Sequence, residues 1–293
     1  MASYYNVDDR LWVINQHAIE QSTIHNTDIR AEWYPKAGEV FSVSFFNKKF
    51  IKPVEMIVRM RSDEQNFDAY GMNLDNATAQ GFEINARKSL GFIAPDQSIL
   101  NNLYLNGNYS WIKANVKYNQ VLLFQGGYLS EEQQEQYRTS DAYNRDRPLQ
   151  GLSPYTVNMG LSYDGDRIGA AVNYNRSGRR LVYAGEYEKH DQYENPRDVL
   201  DLQVSARMMK RLMELKFNVS DLLNQDFIIY RNSDYDPLND QTKDPGVYHD
   251  RTALGMNYNA GDWVMSRIKR GVNMSFSVNY KFKKKKISNE NYH

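Results

Sequence analysis

The chain has 293 residues, of which 41% are hydrophobic and 25% are charged, and it contains no cysteine. Lysine plus arginine and aspartate plus glutamate number 36 each, so there is no strong net field of the kind that draws a protein to nucleic acid. Disulfides and thiolate metal sites are excluded, and so are membrane-spanning helices, because the mean hydropathy is -0.73 and no stretch approaches the ~20 apolar residues of a helical span.

The first strand patterns lie near the start of the chain, after residues 1–16, which lack the basic and apolar regions of a signal peptide. TDIRAEW, at 27–33, alternates between charged residues and a second set ending in Trp33. Successive side chains of a strand point to opposite sides, so this alternation predicts a strand with two different faces. WYPKAGE supplies a short turn, and GEVFSVSFF at 38–46 predicts the second strand, although its alternation is less clean.

Six further segments continue the pattern. They are GFEINARKSL (81–90, also less clean), LYLNGNYSW (103–111), PYTVNMGLSY (154–163), RIGAAVNYN (167–175), LDLQVSARM (200–208) and LMELKFNVS (212–220). With the closing segment they make about nine strands of roughly 9–12 residues, the length that a tilted membrane strand needs. YDGDRI and MMKRLME form two more short turns between them.

The closing segment, GVNMSFSVNYKF at 271–282, alternates without a break between apolar and small or polar residues. In a soluble β-sandwich the apolar face packs on a protein core, whereas in an outer-membrane barrel it faces lipid and the polar face lines the lumen. Charged residues recur on the polar faces and aromatic residues cluster at strand ends, which favours the barrel. We expect Phe276, Val278 and Leu215 to face lipid, and Ser277 and Asn218 to face the lumen.

The connections set the orientation. Long polar stretches at about 51–77, 115–150, 180–196 and 225–265 alternate with short turns, and GFIAPDQSILNN is a medium link in a short-link position. Outer-membrane barrels combine short periplasmic turns with long extracellular loops. The pattern predicts an all-β fold: an antiparallel, up-and-down transmembrane β-barrel portion in the outer membrane. Its loops at 51–77, 115–150 and 225–265 are expected on the outer surface, where they carry any ligand contacts.

Catalytic chemistry finds no support in the sequence. The five histidines show no HExxH spacing, and neither a GxSxG elbow nor a glycine-rich phosphate loop is present. His25 lies near Ser22, a spacing without special meaning. NSDYDPLNDQTKD, at 232–244, is rich in oxygen ligands but lacks the regular EF-hand spacing, so a solvated loop is expected. The sequence predicts neither an enzyme nor a cofactor or metal site.

The loop before the fifth strand offers candidate ligand contacts. Tyr143, Arg145 and Arg147 could touch an anionic ligand, because guanidinium groups match carboxylates and phosphates. They could equally form ion pairs with neighbouring carboxylates such as Glu131 or Asp146, and the sequence leaves both open. Two other function classes also stay open: a small passive outer-membrane porin and a soluble, β-rich carbohydrate-binding module.

Several segments resemble the C-terminal part of TonB-dependent outer-membrane receptors, in the form common among Bacteroidetes-type bacteria. The stretch from Ile24 to Glu55 is similar to that family's strand–turn–strand unit, and GVNMSFSVNYKF resembles its closing strand, with Phe282 at the terminal aromatic position. RPLQGLSPY (147–155) and VSDLLNQ (219–225) are the most specific pieces. The resemblance covers nearly all of residues 24–283 and implies active nutrient uptake.

The family begins with a signal peptide, an energy-coupling box and a plug domain, followed by a 22-stranded barrel. The resemblance implies that residues 24–283 form the C-terminal part of this barrel, that 1–23 are the remnant of an extracellular loop or a disordered start, and that 284–293 are a basic periplasmic tail. It also implies that the partners are outer-membrane lipid, the remainder of the barrel and the plug. TonB is then reached only through the N-terminal part, which this sequence does not show.

Overall fold

The computed structural model describes residues 3–6, 11–14, 19–60, 67–119, 130–139, 144–186, 190–231, 258 and 262–282. These residues contain eighteen strands, numbered β1–β18 along the chain, one 3-10 turn (Leu90–Phe92) and two short helices, α1 (Ser98–Asn101) and α2 (Glu131–Thr139). Neither helix is long or apolar enough to cross a membrane within the described part of the chain.

Nine strands form one antiparallel sheet, which we call the wall. They are β3 (Thr23–Trp33), β4 (Val40–Ile51), β7 (Asn76–Ser89), β8 (Leu103–Asn119), β10 (Tyr155–Asp164), β11 (Ile168–Ser177), β14 (Arg197–Met208), β15 (Met213–Ser220) and β18 (Asn273–Tyr280). Each pairs with the next in chain order, so the predicted nine-stranded, up-and-down arrangement is confirmed. β9 (Asn144–Arg147) pairs with the end of β8, beside the main path of the sheet.

The wall has two faces of opposite character. In register, Leu215 lies opposite Val278, and Phe217 lies opposite Phe276, whereas Asn218 lies opposite Ser275 on the other face. The apolar face is open: Phe276 is 64% exposed and Ile29 is 70% exposed. A continuous apolar surface of this kind is rare on a protein surrounded by water and is the outer surface of a membrane barrel.

The apolar face changes side partway along three wall strands. Phe45, Phe82 and Trp111 lie opposite one another and end the outward apolar band. In the next row, Phe46, Gly81 and Ile112, the larger apolar side chains already point inward, and the buried Ala77, Ala79 and Val116 follow on that inner side. The outward positions beyond the switch are polar, except Ile51 at the end of β4. A switch at one level across three strands marks the plane where lipid gives way to water.

This switch explains why the second strand pattern, which ends on the adjacent Phe45 and Phe46, was less clean, and why the third and fourth strands were predicted too short. β8 continues to Asn119, eight residues past the predicted end at Trp111, because its alternation persists with the apolar side reversed. Residues 115–119, expected within a loop, are therefore strand.

The other long stretches expected to be loops also contain strands, and these form a second sheet, which we call the mouth sheet. Its members are β1 (Ser3–Asn6), β2 (Leu11–Ile14), β6 (Phe67–Asn73), β5 (Val54–Met60), β12 (Arg180–Gly185), β13 (Gln192–Glu194), β16 (Phe227–Arg231) and β17 (Trp263–Ile268), in spatial order. β2 pairs with β6 and β5 pairs with β12 in parallel, because these contacts join segments from different connections. Residues 1–23 thus contribute β1 and β2.

The buried core lies in the mouth sheet and at its contact with the wall. One cluster joins Ile57, Tyr70, Leu181 and Tyr230 of the mouth sheet to Val116 on the inner side of β8. Because Val116 points away from the outward apolar band, the mouth sheet packs on the lumen side of the wall. It lies at the end opposite the short turns at 34–39, 165–167 and 209–212.

The wall is an open sheet in the part of the chain that the structure describes. β3 pairs only with β4, and β18 pairs only with β15. Nine antiparallel strands leave both edge strands running in the same direction. The structure is therefore a portion of a barrel.

An arginine at Phe276 is expected to cost about 2–4 kcal/mol of unfolding free energy, because it places a cation in hydrocarbon near the middle of the band. Arginine at Asn218, at nearly the same depth but on the lumen face, should cost far less. Reversible urea unfolding of the protein in lipid vesicles measures both changes. Equal losses at the two positions would contradict a wet lumen.

Candidate functional site

The lumen face of the wall carries a chain of hydrogen-bonded amides. Asn108 Nδ2 donates to Asn85 Oδ1 at 2.6 Å, Asn158 Nδ2 to Asn108 Oδ1 at 3.3 Å, and Asn175 Nδ2 to Asn158 Oδ1 at 2.5 Å. The four residues cross four neighbouring strands, β7, β8, β10 and β11, in one row. Each amide keeps at least one unused N–H donor and one unused oxygen lone pair, so the row presents an uncharged polar surface to the contents of the lumen.

Charged groups gather at the short-turn end of the same face. Arg207 Nη2 lies 2.7 Å from Asp164 Oδ1, and its Nε lies 3.6 Å from Glu214 Oε1. Arg207 also donates to the carbonyl of Gly165 at 2.9 Å, which ties two of the short turns together. The lumen face therefore changes from neutral amides near its middle to ion pairs at its short-turn end.

A buried ion pair attaches the segment RPLQGLSPY to the mouth sheet. Arg147 is 7% exposed and Glu55 is 3% exposed, and the Arg147 guanidinium donates to the Glu55 carboxylate. The guanidinium also lies 5.1 Å from the Tyr118 ring centroid. Burial lowers the pKa of Arg147, but the facing Glu55 carboxylate outweighs burial and holds that pKa above its ordinary value. Arg147 is thus a permanent cation held inside the fold.

Gln150 connects the same segment to two mouth strands. Its backbone N–H donates to Glu55 Oε1 at 2.9 Å, and its side-chain oxygen accepts from the N–H of Met56 at 2.7 Å. Its Nε2 donates to the carbonyls of Met56 and Val182, on β5 and β12. Because β5 and β12 belong to different loops, this one amide adds a side-chain bridge between two loops whose strands also pair directly. We call Glu55, Arg147 and Gln150 the mouth clamp.

The rest of the segment is fixed by backbone geometry. Gly151 has a φ of 81°, a left-handed conformation that favours glycine, and its N–H donates to the carbonyl of Leu181 at 2.8 Å. Ser153 Oγ donates to the carbonyl of Gly178 at 3.1 Å, and the carbonyl of Pro154 accepts from Ile112 N–H at 2.9 Å. The specific spacing of RPLQGLSPY therefore reflects how the loops are joined over the lumen.

The segment VSDLLNQ, at 219–225, is also held by contacts within the fold. Asp221 Oδ2 lies 2.8 Å from Arg197 Nη1, and the Asp221 backbone N–H donates to Asp201 Oδ1 at 2.9 Å. Asp221 and Asn224 both have positive φ, at 57° and 46°. The segment is a tight turn, held by one ion pair and by backbone hydrogen bonds, where β15 leaves the wall.

The mouth strands also enclose polar side chains. Asp191 is 4% exposed and accepts from Gly185 N–H at 2.7 Å and from Tyr193 Oη at 3.2 Å. Tyr70 Oη donates to Glu186 Oε1 at 2.8 Å, and burial, with this carboxylate, raises the pKa of Tyr70. Both contacts tie β12 to other mouth strands, so the mouth is a packed, internally bonded layer.

The three predicted ligand-contact residues have different placements. Arg147 belongs to the mouth clamp, and its partner is Glu55 rather than a neighbouring carboxylate. Arg145 lies two residues before it on β9, opposite Tyr118 in register, and Tyr143 lies outside the described residues. Ligand contact by Tyr143 and Arg145 stays a prediction. Glu55 and Gln150 were missed, although the specificity of RPLQGLSPY was a usable signal for Gln150.

The other segments and residues considered in the sequence give no further site among the described residues. Residues 232–244 and 284–293 lie outside the described residues. His25 is exposed on β3, and Ser22 Oγ donates its hydrogen bond to the carbonyl of Lys52 at 2.6 Å and not to His25. In the part of the chain that the structure describes, no group of three or more His, Asp or Glu side chains is arranged to hold a metal ion.

Comparison with known proteins gives one family. Residues 5–222 match the model described as TonB dependent receptor-like, β-barrel. No curated protein sequence matches the chain.

Solved structures share the fold at low sequence identity. The ferric citrate transporter FecA, unliganded, is 10% identical with a TM-score of 0.51, and the match covers 87% of this chain and 31% of that one. The copper transporter OprC is 15% identical with a TM-score of 0.49, covering 72% and 27%. A mutant of the ferric enterobactin receptor PfeA from Pseudomonas aeruginosa, in complex with enterobactin, is 13% identical with a TM-score of 0.45, covering 74% and 28%. The chain spans about a third of the length of these relatives or less.

Replacing Arg147 with alanine is expected to lower the free energy of local opening of the mouth sheet by about 3–5 kcal/mol, because it leaves the buried Glu55 carboxylate without its cation. Hydrogen exchange of the β5 and β12 amides measures the loss, while the wall amides should keep their protection. Arg211→Ala is the matched control: its pair with Asp166 is 64% and 91% exposed, and such pairs contribute about 0–1 kcal/mol.

The double variant Arg147→Met, Glu55→Gln should recover much of the protection, since removing both buried charges costs less than leaving one. Unchanged protection in Arg147→Ala would contradict the clamp.

Proposed function

The chain belongs to the TonB-dependent receptor-like β-barrel family, a family of outer-membrane proteins, and from that premise we propose that it is the C-terminal barrel segment of a receptor that takes up a scarce nutrient. The observation that carries the proposal is the open wall with a polar lumen face and a packed mouth sheet on its lumen side. A passive channel needs an unobstructed lumen, whereas a receptor needs a shaped binding surface at its mouth.

The proposal assigns the parts of the chain as follows. Residues 24–283 form the wall and most of the mouth sheet, 1–23 belong to an extracellular connection that adds β1 and β2 to that sheet, and 284–293 form a basic tail on the periplasmic side. The wall supplies nine strands, and family barrels of this type have about 22. The remaining strands and the plug lie outside residues 1–293, in the same polypeptide or in a separate one.

The partners follow from the two faces of the wall. Lipid covers the outward apolar band, and the plug meets the amide row and the ion pairs of the lumen. TonB acts on the plug, through a part of the receptor that lies outside these residues. The net charge of zero gives no basis for binding nucleic acid.

The ligand is proposed to be a metal chelate or a glycan that binds at the mouth. The printed names of the structural relatives concern ferric citrate, ferric enterobactin and copper, which supports a metal-containing ligand. Contacts are assigned to the loops at 51–77, 115–150 and 225–265, including Tyr143 and Arg145, while Arg147 fixes the loop that carries them. The proposal gives this chain no catalytic step, and its Bacteroidetes-type affiliation stays a prediction.

Deletion of the gene should abolish accumulation of the ligand by intact cells grown under nutrient limitation. Radiolabelled iron and copper chelates and labelled oligosaccharides are the probes, and a protonophore should stop uptake by the parent strain, because energised uptake draws on the inner-membrane proton gradient. Uptake that persists with the protonophore would favour the passive porin. Unchanged uptake of every probe after deletion would contradict the assignment of the chain to an uptake receptor.

A further inference from the structure

Three lysines form a cluster on the outer face of the wall. Lys49 on β4 lies opposite Thr78 on β7, which lies opposite Asn115 on β8. Lys113 and Lys117 stand two positions on either side of Asn115, on the same face. All three lysines and Thr78 are exposed. We call these four residues the outer-face patch.

The patch is compact enough to share one anion. With strands ~4.8 Å apart and a rise of ~3.4 Å per residue, the Cα atom of Lys49 lies ~12 Å from those of Lys113 and Lys117. A lysine stem reaches ~6 Å, so the three ammonium groups can converge above Thr78, whose hydroxyl adds a hydrogen-bond donor.

The lysines of the patch form no ion pair among the described residues, although Lys52 pairs with Glu20, and Lys88 pairs with Glu39. The nearest carboxylate in register is Asp146 on β9, opposite Lys117, at the edge of the patch away from Lys49. Farther round the wall, the outward Arg176 is neutralised by Asp198 at 2.7 Å. The excess positive charge is therefore local to β4 and β8.

The position of the patch identifies its partner. It lies directly beyond the row of Phe45, Phe82 and Trp111, where the outward band changes from apolar to polar. Aromatic rows of this kind mark the membrane–water interface, and lipid head groups occupy the layer next to it. The end that carries the mouth sheet is the extracellular one, so this layer belongs to the outer leaflet.

We propose that the outer-face patch binds the phosphate groups of outer-leaflet lipid. The apolar band holds the acyl chains, and the lysines hold the phosphate at the height where head groups lie. Basic clusters beside a membrane recognise anionic lipid in this way. The proposal depends on the chain's place in the membrane and not on which nutrient it transports.

The test uses the protein purified from the outer membrane in detergent, together with the strands that complete its barrel. The probe is short-chain phosphatidic acid in mixed micelles, with diacylglycerol, which lacks the phosphate, as the reference. Native mass spectrometry measures the bound lipid. We expect retention of phosphatidic acid over diacylglycerol, and a loss of that preference as salt is raised.

Replacing Lys49, Lys113 and Lys117 together with glutamine should weaken phosphatidic acid binding about 100-fold, at about fivefold for each cation near the surface. The matched control replaces Lys36, Lys210 and Lys281 with glutamine. It removes the same charge at the periplasmic end, where all three lysines are exposed, and should leave affinity within about twofold by the same reasoning. Circular dichroism checks that both variants keep their strand content.

Equal losses in the two triple variants would overturn the proposal, since they would reflect net charge alone. Equal binding of phosphatidic acid and diacylglycerol by the parent protein would also overturn it, and that comparison needs no variant to fold. Glycerol phosphate binding as tightly as phosphatidic acid would assign the patch to a soluble phosphate and exclude the lipid.

Discussion

Every backbone group of a strand in hydrocarbon must be paired within the protein, because lipid offers no hydrogen bonds. The interior strands of the wall meet this condition on both sides, but β3 and β18 each meet it on one side only. Each unpaired group costs several kcal/mol in lipid. The combined cost of the unpaired groups on two open edges therefore exceeds the ~5–15 kcal/mol of free energy that stabilises a typical domain. The wall requires further strands, and its two edges, which run in the same direction, cannot form an antiparallel seam with each other.

Above the membrane the source of stability changes. The wall within the apolar band buries few side chains, and its apolar residues face lipid. Beyond the row of Phe45, Phe82 and Trp111 the apolar side chains turn inward and build a core with the mouth sheet. The mouth clamp fixes β5 and β12 above that core. A packed mouth above a polar lumen is the geometry on which the proposed ligand binding depends.

The nine wall strands and their short turns were predictable, because their alternation has a period of two and survives in each segment. The reversal of the apolar face was not recognised, since within the predicted segments it appears only as the adjacent Phe45 and Phe46 of GEVFSVSFF. The mouth strands were missed because each is short, and because the pairs that join them into one sheet, β2–β6, β5–β12 and β13–β16, link segments far apart in the chain. Glu55 and Arg147 are 92 residues apart, and no local pattern connects them. RPLQGLSPY was recognised as specific, but its role in joining loops follows only from the contacts of Gln150.

The most direct test of the account is a cysteine crosslinking measurement at the two edges. The chain has no native cysteine, so cysteines at Thr27 on β3 and Asn279 on β18 report without background. A bifunctional reagent is added to native membranes and the crosslinked peptides are identified by mass spectrometry, with a cysteine at Asn173, inside the wall, as the control. The account predicts that both edge cysteines crosslink to strands from outside residues 1–293. A stable 34.2 kDa monomer whose two edges crosslink to each other would contradict it.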